Sequence, residues 1–176
     1  MYILLIEGLD LFSDYVLNAY HQLARTLEKN PLVDKVYGLN TQDHIAGSED
    51  GFLIEPVINT SELAQTTALE RQQRAVSDRF AKNTLVSHDG SAISMVIAPV
   101  TLDNSMQRLQ LERNILEAVE RAHLGKHLTA RTGYIPLDIE ELRSMLRDNM
   151  IFIPATVVIG LFLIWWLFRR WLAVIL

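Results

Sequence analysis

The stretch "LVSHDGSAISMVIAPV" (Leu85–Val100) carries two signals, one on each side of Asp89-Gly90. After the glycine, Ile93, Met95 and Ile97 alternate with Ser94, Val96 and Ala98, the two-residue period of a strand. Before it, Leu85 and Val86 form a short extended arm. Asp-Gly between two extended runs predicts a two-residue type I′ turn, in which both central residues need positive φ. A strand of this kind needs partners, and the flanking sequence supplies them.

Downstream, Leu102, Met106, Leu109, Leu116 and Val119 place a helix over about Asp103–His123, with Gly125 as the residue after its cap. "HLTARTG" (His127–Gly133) reads as a short strand. "PLDIEELRSMLRDN" (Pro136–Asn149) opens with proline and acids, the composition of a helix start, and Ile139, Leu142, Met145 and Leu146 form its stripe, with no breaker before Met150, so the helix is expected to run straight on. Upstream, "YILLI" (Tyr2–Ile6) is a buried strand. Phe12, Val16, Leu17, Tyr20, Leu23, Ala24 and Leu27 mark a helix over about Leu11–Lys29, ended by Asn30-Pro31. "LVDKVYGL" (Leu32–Leu39) alternates Val33, Lys35 and Tyr37 against Leu32 and Val36 and reads as a second strand. Residues 40–60 read as loop, with Gly47, Gly51 and Pro56 breaking any period. Thr60–Asn83 reads as one or two exposed helices with a thin stripe of Leu63, Leu69, Val76 and Phe80. Setting aside the insertion (about 40–83) and the first hairpin arm, the order is βαββαβ. The expected class is α+β, a ferredoxin-like domain with two helices on one face of an antiparallel sheet.

Beyond Asp148 the composition changes. "MIFIPATVVIGLFLIWWLF" (Met150–Phe168) is 19 residues without a charge. As a helix it spans about 28 Å, the thickness of a bilayer's hydrocarbon core. Trp165, Trp166 and Trp171 flank Arg169 and Arg170, the pattern of a spanning helix ending at a headgroup layer. Pro154 is read as lying in the first turns, where its missing N–H costs little. Thr156 and Gly160 are four apart, a small pair that suits close approach of another helix. Arg147 and Asp148 mark the junction between domain and membrane. The expected divisions are 1–135, an extracytoplasmic domain; 136–149, a connecting amphipathic helix; 150–168, a transmembrane helix; and 169–176, a cytoplasmic turn and the start of a further membrane helix. "MYILLIEG" lacks the basic region and cleavage site of a signal peptide.

Of 16 basic residues only Arg169 and Arg170 follow Asp148, so residues 1–149 carry 14 basic against 21 acidic side chains, a net charge of -7. That excess argues against nucleic acid as a partner. The chain has no cysteine, which removes thiolate chemistry. Ser87, His88 and Asp89 are the residue types of a catalytic triad, but neighbours along a strand point to opposite faces and cannot form its relay. His123 and His127 are four apart, yet Gly125 between them ends the helix and no third ligand is near. Asp138, Glu140 and Glu141 read as a first-turn dipole cluster. The expectation is no enzyme, no metal and no cofactor.

Four segments together resemble one family, the MMPL-like, hydrophobe-exporting branch of the RND superfamily of exporters. "NTLVSHDGSAISMVIAPV" is similar to its Leu-Val-Ser-x-Asp-Gly hairpin and strand. "TARTGYIPLDIEELRSMLRDNM" resembles its passage from strand through Thr-Gly-x-Pro into the second membrane helix, with one extra residue in "TGYIP". "FRRWLAVIL" resembles the turn between its second and third membrane helices. "IEGLDLFSDYVLNAYHQLARTLEKNPLVDKVYGLN" is similar to its first strand, helix and second strand, with "VYGLN" in place of the usual serine-containing end. The resemblance implies part of a proton-driven exporter of hydrophobic or lipid-like molecules in the bacterial inner membrane. Residues 1–149 then face the periplasm, and the family's first membrane helix and proton-relay acids lie outside the sequence. The implied partners are the lipid bilayer, the remaining transmembrane helices, a second porter domain and a hydrophobic substrate, with room for an oligomer. The alternative is a complete tail-anchored protein with a soluble binding or scaffolding domain.

Overall fold

The structure, a computed structural model, describes the whole chain except Gln42, Glu49, Asp50 and Leu176, and of 42–55 and 168–176 it describes no side chains. The chain divides into two compact units, Met1–Leu137 and Asp138–Leu176.

The first unit is mixed α+β. Its elements run β1 (Tyr2–Glu7), α1 (Asp14–Glu28), β2 (Val33–Tyr37), β3 (Asp43–Ser48), β4 (Gly51–Pro56), a 3₁₀ turn (Thr60–Gln65), α2 (Ala68–Ser77), β5 (Ala92–Pro99), α3 (Ser105–Arg121) and β6 (Leu128–Thr132). Four strands form an antiparallel sheet in the order β2-β5-β1-β6. One face of the sheet presents Tyr2, Leu4 and Ile6 beside Ile93, Met95 and Ile97, all almost fully buried. Against it lie Val16, Leu17, Tyr20, Leu23, Ala24 and Leu27 of α1 and Leu111, Ile115, Ala118 and Val119 of α3. Each large apolar side chain so buried contributes about 1.5–3 kcal/mol. The Tyr20 hydroxyl crosses the core and donates to the Ser94 carbonyl at 2.7 Å.

Helix α1 forms where its pattern places it, and Ser13 caps it by accepting from the Val16 N–H at 3.3 Å. Helix α3 turns a different face inward than its large apolar residues suggest. Met106 is exposed, while Leu111, Glu112, Ile115, Ala118 and Val119 are buried. Buried Glu112 is tolerated because the Arg131 guanidinium of β6 donates to it at 3.0 Å. The end of α3 also differs from expectation. The αL residue is His123 (φ 57), not Gly125. The His123 N–H donates to the Glu120 carbonyl at 3.0 Å and the Leu124 N–H to the Val119 carbonyl at 3.1 Å, a Schellman closure.

Three further expectations are corrected. First, β2 does not alternate simply, since Val33 and Val36 are both buried. A register shift against β5 between Val33 and Lys35 adds a residue and rotates the later side chains. Second, Asp43–Ser48 and Gly51–Pro56 are not loop but a two-stranded ribbon, β3 paired with β4 from Asp43↔Pro56 to Ser48↔Gly51. A ribbon closed by mutual backbone pairing tolerates glycine at its ends. Third, the Asp89-Gly90 turn is not type I′. The Gly90 N–H donates to the Ser87 carbonyl at 3.0 Å, His88 and Asp89 occupy the central positions, and only Gly90 has positive φ (74). The first arm makes a single antiparallel bridge, Val86↔Ile93.

Helix α4 (Tyr134–Ile175) follows Gly133 directly. Gly133 has φ 114, and a Cβ there would sit 2.7 Å from the Met1 carbonyl oxygen, so only glycine fits where β6 leaves the sheet beside β1. Pro154 is therefore well inside α4, not in its first turns, and its missing N–H removes the bond to the Met150 carbonyl. The turn expected over 169–176 is helical backbone as far as Ile175, since neither glycine nor proline follows Gly160 to break it.

Candidate functional site

The apolar segment of α4 is the largest chemical feature of the second unit. Among the described residues one helix, Tyr134–Leu167, is long and apolar enough to cross a membrane, and its apolar stretch is not buried. Met150–Ile153, Val157–Ile159 and Leu161–Leu167 are exposed. A continuous exposed apolar surface of this size marks an interaction face for a membrane or another protein. Apart from the Met150 carbonyl, which faces Pro154, its backbone groups follow the i to i+4 bonding pattern of a helix. The Thr156 hydroxyl is satisfied too, donating to the Phe152 carbonyl at 2.7 Å. A Cβ at Gly160 would meet nothing within 4 Å, so Thr156 and Gly160 sit one turn apart on an open helix face. The Phe162 ring stacks obliquely near Trp165 (6.0 Å between centroids) and Trp166 (6.5 Å). Arg147 and Asp148 are helical and exposed just before Met150. Arg169, Arg170 and Trp171 have helical backbone, and their side chains lie outside the described residues.

The triad residue types come together as a turn, not as a relay. The Ser87 hydroxyl donates to Asp89 Oδ1 at 2.7 Å, and the Ser91 hydroxyl and N–H donate to the same oxygen at 2.8 and 3.1 Å. The Ser87 oxygen in turn accepts from the Ala92 N–H at 3.0 Å. These bonds, that of Ser87 first, hold the Asp89 carboxyl well below its usual range. His88 takes no part in them. His127 Nδ1 lies 3.3 Å from the Glu7 carbonyl and 3.8 Å from Asp10 Oδ1. His123 and His127 line one cleft of about 610 Å³ with Tyr15, Glu120, Gly125 and Lys126. Among the described residues no three histidine, aspartate or glutamate side chains gather as metal ligands.

Two features of the insertion carry no periodic signal. Arg71 of α2 is buried and bonded on all sides. It donates to the Phe12 carbonyl at 2.8 Å, to the Thr66 hydroxyl and carbonyl at 3.0 and 2.5 Å, and to the Leu63 carbonyl. It also pairs with Asp14 at 2.6 Å. So α2 faces inward with Arg71 and Ala75, while Leu69 and Phe80 of the expected stripe are exposed. The second feature is a cleft of about 810 Å³ between α2 and the Ser87–Ser91 turn, with Leu69, Arg74, Val76, Lys82 and His88 among its walls. The chain matches no protein-family model, no curated protein and no solved structure.

Proposed function

We propose that this chain is part of a proton-driven, RND-type exporter of hydrophobic or lipid-like molecules, and that it contributes the extracytoplasmic substrate-handling domain and one spanning helix. The observation that carries the reading is helix α4, which leaves the sheet at Gly133 and bears an unburied apolar segment of bilayer length. The strand order supports the finer fold assignment. With β5 seated between β1 and β2, and β6 outside β1, the order of β1-α1-β2 and β5-α3-β6 is consistent with the split βαβ arrangement expected of a ferredoxin-like domain. On this reading residues 1–149 lie on the periplasmic side of a bacterial inner membrane. Arg169 and Arg170 then mark the cytoplasmic side by the positive-inside tendency, and the substrate path is completed by membrane helices and a second porter domain encoded elsewhere.

The absence of cysteine makes sidedness directly testable. Leu9 stands fully exposed in the β1–α1 loop, so a single Leu9→Cys is a clean reporter. Intact spheroplasts should label it with a membrane-impermeant maleimide without lysis. Labelling only after lysis would place the domain in the cytoplasm and favour the tail-anchored alternative. The flanking coding sequence tests the transporter assignment separately. A spanning helix directly upstream and several downstream are expected, and stop codons on both sides overturn it.

A further inference from the structure

The cleft between α2 and the Ser87–Ser91 turn has walls held by hydrogen bonds. Helix α2 opens with a complete capping box. The Thr67 oxygen accepts from the Glu70 N–H at 3.3 Å, and the Glu70 carboxylate accepts from the Thr67 N–H at 2.7 Å and the Thr67 hydroxyl at 2.9 Å. The opposite wall is the turn locked by Ser87, Asp89 and Ser91. The two walls are tied together by the Gln72 amide, which donates to the Asp89 carbonyl at 2.9 Å. A Cβ at Gly90 would come within 2.5 Å of that amide nitrogen, so the tie depends on glycine. The space between is about 810 Å³, within the range of about 300–1,000 Å³ typical of small-ligand clefts.

Its charges are unequally committed. Both carboxylates are engaged within the protein, Glu70 by Thr67 and Asp89 by Ser87 and Ser91, and both are held below their usual range by those bonds. The cations are less so. Among the described residues nothing bonds the Lys82 ammonium or the His88 ring, while Arg74 pairs with Glu62 at 3.7 Å and helps to hold the Glu70 carboxyl low. The same cleft is lined by Leu69, 63% exposed, and half-buried Val76, which offer apolar contact without cover. Two cations without a partner among the described residues, beside exposed apolar surface, complement one chemical class.

We propose that this cleft binds an amphipathic anion, an acyl or alkyl chain lying along Leu69 and Val76 with its negative head between Lys82, Arg74 and His88. This site stands apart from the exporter assignment, and either can fail without the other. The probe is octanoate bearing a terminal diazirine, photolysed with the full chain in nanodiscs and mapped by mass spectrometry. The matching alkyl phosphate and the neutral alcohol serve as companions. Labelling of residues 69–77 and 82–89 should saturate with either anion. A preference for one anion tells a fatty acid from a phosphate-headed lipid, and either preference supports the site. The alcohol should label there at least about threefold less. Exposed pairs of this kind contribute up to about 1 kcal/mol each, so Lys82→Gln should weaken labelling about fivefold and Lys82→Gln with Arg74→Gln further. Leu69→Ser, on the exposed face of α2, should weaken both anions without altering the thermal transition. Equal labelling by anion and alcohol, labelling confined to α4, or indifference to Lys82→Gln overturns the proposal.

Discussion

Five acceptors converge on the Arg71 guanidinium, namely the carbonyls of Phe12, Leu63 and Thr66, the Thr66 hydroxyl and the Asp14 carboxylate. Guanidinium suits the position because its fork of donors is planar and fixed, and it fastens the insertion to the start of α1. Arg71→Ala should therefore cost about 3 kcal/mol, since it strands buried carbonyls as well as removing a charge. Arg71→Lys should recover less than half of that, because one ammonium cannot reach every acceptor. Asp14 is mostly exposed, and Asp14→Asn should cost under about 1 kcal/mol. Urea unfolding of the three variants checks the ranking. An Arg71→Ala as stable as the parent would mean that the insertion is not fastened there. Arg71 was hidden from pattern reading because an arginine in a polar helix looks like a solvated one. Only its acceptors, drawn from two separate segments, distinguish it.

At the scale of elements, local bonding decides where helices start and stop. His123 closes α3 at φ 57, a conformation that costs a side chain with a Cβ roughly 1 kcal/mol relative to glycine. His123→Gly should raise stability by about that amount in thermal or denaturant melts, whereas a loss would mean that the imidazole makes a compensating contact. The opposite end of α2 gives a pH prediction. Hydrogen bonds from Thr67 lower the Glu70 pKa from its ordinary 4.5. A carboxylate depressed in the folded state contributes stability that is complete above 4.5 and lost as pH falls through the lower folded value. Glu70→Ala should thus lower the melting temperature more at pH 7 than at pH 3. An equal loss at both would show that the capping box does not act through charge. Helix α1 was legible throughout because its apolar spacing admits one buried face. In α3 the spacing admits two, and Ile115 with the Glu112–Arg131 pair selects the one that the larger side chains do not mark.

For the whole molecule the governing feature is the apolar length of α4. Introducing Ile159→Arg and Leu163→Arg together places two charges one turn apart near the middle of that length. The cost in a bilayer is about 6 kcal/mol, at about 3 kcal/mol for each arginine. The double variant should move into the carbonate-extractable fraction while the domain's own thermal transition is unchanged. Unaltered membrane retention would count against a spanning helix. The apolar segment could be read directly because hydrocarbon imposes one requirement, continuous apolar length, that needs no tertiary information. Placing Pro154 required knowing where the helix begins. With the start at Tyr134, the proline falls in the interior and breaks the ladder at the Met150 carbonyl.

By itself the sequence determined what depends on local period and composition: the strand at Ala92–Pro99, the amphipathic α1, the direct run of α4 into its apolar segment, and the acidic, cysteine-free character of residues 1–149. Only the tertiary structure decided the strand order, the bulge in β2, the β3–β4 ribbon, the buried face of α3 and the place of Arg71. The physical reason is the origin of each constraint. Periodicity reports how a segment meets an apolar phase, whichever phase that is. Register, bulges and buried charges are settled by partners distant in the chain, whose backbone acceptors and countercharges leave no mark on the segment they satisfy.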